Sequence, residues 1–277
     1  EEGGTLDGAD PDMVSTRAME RGREQLGTLG SGNHFLEIEV VEEIFDPAAA
    51  AGFGLEKGQI AVMLHSGSRG LGHQVCDDYL ARMVKHIGDL GVELPDRQLA
   101  CAYLNSSRGK EYLAAMACAA NYAWANRQML MHWTRETFEK TLGMGSNAVG
   151  MRLLYDICHN IAKIETLPVD GKDQTLCVHR KGATRALPAG HPLVPLAYRH
   201  VGQPVLIPGD MGSGSYVLAG TDKALEETFG SSCHGAGRVM SRSQATKSSR
   251  GRSITRDMAD RGVIVMASGR GTLQEEI

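Results

Sequence analysis

The sequence predicts an α/β chain of the α+β kind. It reads as a single large domain over residues 1–277, with central β-sheets, flanking helices and glycine-rich active-site loops. Three observations predict this. Short apolar runs read as strands, two long segments carry a helical period, and the polar, glycine-rich stretches fall where apolar runs start or stop. Strands are predicted over 35–44, 59–64, 153–157, 204–207 and 262–266. A helix is predicted over 71–90, with Val75, Tyr79, Leu80, Met83 and Ile87 on one stripe. A longer one spans 108–142, where Tyr112, Met116, Trp124 and Leu130 read as core. No internal repeat, low-complexity tract or Pro-rich linker divides the 277 residues. At 42% hydrophobic and 22% charged residues, the chain can bury a sizeable core. No run of about 18 apolar residues occurs, so no membrane span is expected, and no targeting signal is read after Glu1. The six cysteines form no CxxC pair, which argues against structural zinc or a disulfide framework and for a reducing cytoplasm.

A net charge of −4 argues against a non-specific nucleic-acid binder. Its distribution argues differently. From Thr228 to Arg256 there is no Asp or Glu, while Arg238, Arg242, Lys247, Arg250, Arg252 and Arg256 supply six positive charges. Such a local field favours phosphate-bearing partners; the competing reading is a solvated loop.

Polar motifs gather at the predicted strand boundaries. GSGNHFLE (30–37) is a glycine turn running into a strand, and HSGSRG (65–70) follows one. CHN (158–160) and PGDMGSGS (208–215) are read as ending two more, and SSCHGAGR (231–238) opens the basic segment. Loops at strand ends are where functional side chains concentrate. His73, His86 and His132 in helices, and His191 and His200 in a Pro-rich connection, need no special role. His34, His65 and His159 sit at strand boundaries beside small or amide residues. Three converging imidazoles would hold a transition metal, and a carboxylate such as Glu37 or Asp210 would bias the site towards harder ions. His234 has another set of neighbours. Gly235-Ala236-Gly237 leaves an open approach and offers backbone N–H groups, and Arg238 adds a planar cationic fork. Neutral imidazole is a good nucleophile, and these neighbours suit attack on phosphorus. GSGNH and PGDMGSGS could cradle further phosphates, although neither is a Walker A loop or a GxGxxG turn.

With these motifs assembled, the chain resembles the RtcB family of RNA-splicing ligases. The resemblance rests on LGSGNHFLE, HSGSRGLG, CHN, HRKGATRA, PGDMGSGSYV, SCHGAGR and ASGRGTLQEE, in the family's order and spanning nearly the whole chain. It implies joining of RNA 2′,3′-cyclic phosphate or 3′-phosphate ends to 5′-hydroxyl ends with GTP and Mn²⁺, in tRNA splicing or RNA repair. An archease-type activating protein is among the implied partners. Matched by motif, His34, His65 and His159 fall on manganese-binding positions, and His234 on the histidine that takes up GMP. Asn33, Phe35, Leu36, Glu37, Asn160, Pro208, Gly209, Asp210, Met211, Ser215, Gly235, Ala236, Gly237 and Arg238 fall with His34, His159 and His234 on nucleotide-site positions. Two family features do not occur in these residues: a DxxCG motif, whose Asp and Cys complete the metal pair, and a C-terminal lysine at the nucleotide. Residues 1–277 are therefore expected to hold manganese weakly, at one partial site at most. Two other readings of the same residues remain open. One is a metal-dependent phosphohydrolase without a covalent step, and the other a non-catalytic RNA-binding module.

Overall fold

A computed structural model describes residues 1–96, 99–235, 237, 239–267, 269 and 273–274. The chain order is α1 (Thr16–Arg23), β1 (Phe35–Val40), α2 (Pro47–Phe53), β2 (Ile60–His65), α3 (Arg69–Lys85), α4 (Ser107–Leu142), α5 (Ser146–Val149), β3 (Asn160–Val169), β4 (Lys172–Lys181), β5 (Ala183–Arg185), β6 (Pro204–Ile207), β7 (Tyr216–Ala219), α6 (Asp222–Thr228), β8 (Ser231–Cys233), α7 (Arg242–Ser248) and α8 (Ile254–Ala259). The fold is mixed α/β, as the sequence predicts, but its sheets are smaller than expected. Strands pair as β1–β2, β3–β4, β5–β8 and β6–β7, each pair a two-stranded sheet. Two compact units form, both discontinuous in sequence: residues 1–30 with 64–156, and residues 31–63 with 157–277.

The first unit is helical. Val14, Ala18, Val75, Tyr79, Met83 and Ala115 form its buried cluster, joining the approach to α1 with α1, α3 and α4. The Tyr79 hydroxyl reaches that core's edge and donates to the Met13 carbonyl at 2.9 Å. Helix α4 starts on a Ser106 cap, whose Oγ accepts from Gly109 N at 3.1 Å, and stops at Gly143 in the left-handed conformation. Alanines at 115, 117, 119, 120 and 123 keep its buried face thin, so neighbours approach closely around Trp124. No helix among the described residues is long and apolar enough to cross a membrane.

Asn126, fully buried on α4, is the hub of this unit's loops. Its Oδ1 accepts from Gly27 N at 2.7 Å and Thr28 N at 3.1 Å. Its Nδ2 donates to Thr28 O, Ser66 Oγ and Gly67 O at 3.1–3.2 Å. One amide thus fixes the turn before GSGNH and the loop after His65. Replacing Asn126 with alanine strands several buried polar groups, and should cost about 3 kcal/mol of stability in urea unfolding.

The second unit carries the strands. Its longest element is the hairpin β3–β4, in antiparallel register from Asn160↔Lys181 to Val169↔Lys172. The two-residue turn is Asp170-Gly171, both with positive φ (49° and 75°), the backbone that matches strand twist. Ile161, Lys163, Glu165 and Leu167 alternate onto the buried face of β3. Elsewhere Leu187, Val194, Gln203 and Val205 are buried, and Gly220 packs where a Cβ would come within 2.3 Å of the Leu187 carbonyl oxygen.

Several predicted elements differ. The hairpin β3–β4 was not anticipated, and CHN opens β3 rather than ending a strand. No strand forms over 153–157, a stretch that side chains of α4 tie down at and beside it. Arg127 Nε donates to the Asp156 carboxylate at 2.7 Å and Arg135 Nε to Met151 O at 3.2 Å. None forms over 262–266 either: Ile264 and Met266 are 89% and 91% exposed, so nothing rewards pairing. Strand β1 stops at Val40, and the predicted helix 71–90 begins at Arg69 and ends at Lys85, followed by a 3₁₀ turn over Ile87–Leu90.

Candidate functional site: two stacked histidines on a glycine hinge

The second unit brings His159 and His234 together through one residue between them in space, Gly182. Strand β8 pairs antiparallel with β5, Ala183 opposite Cys233. One residue further, His234 N donates to Gly182 O at 3.0 Å. Gly182 N in turn donates to His159 O at 2.8 Å and lies 3.1 Å from Asn160 Oδ1. Gly182 sits at φ 66°, a conformation that favours glycine, and so turns from β4 into β5 between the two histidines. The imidazole rings stack at 3.9 Å between centroids with planes 4° apart. Burial holds the His234 pKa below its ordinary value, opposed by a hydrogen bond with the Leu206 backbone. The neutral imidazole, the nucleophilic form, is thereby favoured.

Ligand nitrogens of His159 and His234 lie within 4.8 Å of one another, close enough for both to contribute to a metal site. Each neutral imidazole offers one nitrogen to a first-row divalent ion.

A second constellation lies on β1 and the loop joining β6 to β7. Ser215 Oγ lies 3.4 Å from Glu37 Oε2 and accepts from Gly209 N at 3.0 Å. Burial, chiefly, then the Glu39 and Asp210 charges push the Glu37 pKa up to about 7, partly offset by Ser215. Asp210 turns inward: its Oδ1 accepts from Gly212 N at 2.7 Å and Ser213 Oγ at 3.0 Å, closing its own loop. A Cβ on Gly209 would fall 2.5 Å from Ser213 O, so the loop demands glycine there. Beside it lies a cavity of about 380 Å³, lined by Asp210, Met211, Arg252, Asp257 and Arg261 among others.

The remaining predicted residues are distributed as follows. Asn33 is exposed and His34 half-buried just before β1. Along β1 the pleat puts Phe35 and Glu37 on one face and the more exposed Leu36 on the other. His65 closes β2 and belongs to the first unit. Pro208 leads out of β6 into the loop. Gly235 and Gly237 are exposed, and an added Cβ at either would meet nothing within 4 Å among the described residues. Ala236 and Arg238, and most of the ASGRGTLQEE motif, lie outside the described residues. The HRKGATRA motif contains Gly182, the residue that joins the two histidines, a role its position in the motif does not show. The signal was a glycine between two short β-runs.

A half-buried imidazole whose neutral form is favoured, with a second imidazole stacked on it, offers a nitrogen nucleophile. The family model described as tRNA-splicing ligase RtcB matches residues 1–277, and the chain belongs to the RtcB family. It is 57% identical over 276 residues to the tRNA-splicing ligase RtcB of Archaeoglobus fulgidus, covering 100% of this chain and 57% of that protein. The namesakes from Thermococcus kodakarensis and Pyrococcus abyssi are 54% and 55% identical, also over 100% of this chain. The chain spans 57% of the former and 30% of the latter.

Proposed function

We propose that this chain carries the nucleotidyl-transfer centre of an RNA ligase, which joins 3′-phosphate or 2′,3′-cyclic phosphate ends to 5′-hydroxyl ends with GTP. The observation that supports it most is the His159–His234 stack hinged on Gly182, with burial favouring the neutral form of His234. A neutral His234 nitrogen attacks the α-phosphorus of GTP, forming an N–P bond as the bond to pyrophosphate breaks. A cyclic phosphate end first takes up water, breaking its P–O2′ bond to leave a 3′-phosphate. A terminal oxygen of that 3′-phosphate then displaces His234 from the GMP phosphorus. The 5′-hydroxyl attacks the activated 3′-phosphate and loses its proton as GMP leaves. The open flank at Gly235 and Gly237 gives the triphosphate room to approach. By motif, His34, His65 and His159 would hold Mn²⁺, which when bound neutralises phosphate charge and assists departure of pyrophosphate. Glu37 supplies a carboxylate that can accept from the N1–H and N2–H edge of guanine.

A ligation assay tests this reading. RNA ends bearing 3′-phosphate and 5′-hydroxyl should join in the full-length protein only when GTP and Mn²⁺ are both present. Loss of the terminal phosphate without joining would point to a phosphohydrolase, and RNA binding with no reaction to a non-catalytic module.

The basic segment should contact RNA unevenly. Arg252 is held by Asp257, with Nη2 2.9 Å and Nε 3.0 Å from Oδ2. Neutralising Arg250 and Arg256 should therefore weaken RNA binding and reduce its log–log salt slope by about 0.7 per lost phosphate contact, more than neutralising Arg252. Binding isotherms at several salt concentrations measure this, and an unchanged slope would return the segment to a solvated loop.

A further inference from the structure

The buried charges of β3 and β4 lie directly behind the strand that delivers His234. Arg180 and Glu165 form a two-pronged pair, Nη1 and Nη2 each 2.8 Å from a carboxylate oxygen, with both side chains almost wholly buried. Arg185 Nη1 stands 3.6 Å from the same carboxylate. Taking charges out of water is costly, and apolar residues would hold a hairpin at least as well. What apolar residues would not do is reach out of the hairpin. Arg180 Nε donates to Ser231 Oγ at 2.9 Å and Nη2 to Phe229 O at 3.0 Å. Phe229 is itself at φ 54°, a left-handed conformation unusual for a non-glycine residue, at the end of α6 just before β8.

These contacts close a mechanical loop. Glu165 is on the strand that follows His159, and Arg180 lies two residues before Gly182. Ser231 lies three residues before His234, which is bonded to Gly182. Resting on the reading of His234 as nucleophile, we propose that the Glu165–Arg180 pair is a positioning device, a rigid planar brace that sets the register of β8 and so places the His234 ring against His159. Arginine is required because its fork meets Glu165 while Nε still faces Ser231; lysine offers one point charge and cannot bridge them.

The test uses the full-length protein and single-turnover formation of the GMP adduct with GTP and Mn²⁺, scored per folded molecule. In Arg180→Met, Glu165 keeps Arg185 as a neighbour, so no buried charge is orphaned. Arg180→Lys and Arg180→Met should lower the rate constant at saturating GTP by about 10²-fold, because a misplaced nucleophile loses rate rather than substrate. The GTP concentration at half-maximal rate should stay within about twofold of wild type. Ser231→Ala leaves the ion pair intact and should lower the same rate constant alone; it decides the matter if the Arg180 variants do not fold. Folded variants whose rate constants equal wild type would overturn the proposal, as would a loss confined to GTP affinity. A wild-type protein that forms no adduct would overturn the functional reading, and the inference with it.

Discussion

Replacing His234 with alanine should abolish covalent guanylylation, a loss of about 10⁴-fold or more, while the fold and unfolding midpoint stay near wild type. The stability side follows from position. His234 follows the last residue of β8, and its backbone N–H, the group that ties it to Gly182, survives the substitution. The chemical side follows from the proposed role of His234: alanine offers no nitrogen to the phosphorus. The adduct in wild type should be a phosphoramidate, lost in acid and retained in mild base. An adduct in the His234→Ala protein, or one stable in acid and cleaved in base, would move the reaction to another residue.

The second large effect is on pH. The Glu37 carboxyl, raised to about 7 chiefly by burial and then by Glu39 and Asp210, gains a proton as pH falls through that value. Guanine offers N–H donors, which only an ionised carboxylate accepts well at both oxygens. Guanine nucleotide affinity should therefore be flat above about pH 7.5 and fall roughly tenfold per unit below 7. The stability sign runs the other way. Between its ordinary value and about 7 the folded state holds a proton that the unfolded state has released, so this group favours folding at low pH and that contribution is lost as pH rises. Calorimetric titration with GMP across pH 5.5–8.5 checks the binding limb. Glu37→Gln should remove the slope and weaken discrimination between GMP and IMP, which lacks the N2 amino group. A slope that persists in Glu37→Gln would assign it elsewhere.

The long helix and the glycine loops were legible because one local signal governs each. The period of Tyr112, Met116 and Trp124 makes α4, and the glycine and serine run 208–215 makes the loop between β6 and β7. The hairpin β3–β4 was illegible for a physical reason. Its buried face carries Lys163 and Glu165, so the alternation reads as polar until Arg180 supplies a partner. The Asp170-Gly171 turn was the cue available. Apolar content misled in the other direction at 262–266, where Val263, Ile264 and Met266 pair with no strand. In the site, the residue types near His234 read as those of a nucleophile. The stack with His159 did not show, because it depends on Gly182, which lies over fifty residues before His234. Asp210 also looked free to meet a ligand, yet its carboxylate is engaged by Gly212 and Ser213.

The most direct measurement is to incubate the full-length protein with GTP and Mn²⁺, keep the product at mild alkaline pH, and locate the added mass by peptide sequencing. One GMP on the peptide containing His234, absent with ATP and absent without metal, is the predicted result. GMP on any other residue, or turnover of GTP with no adduct under these conditions, would contradict a histidine-centred nucleotidyl transfer.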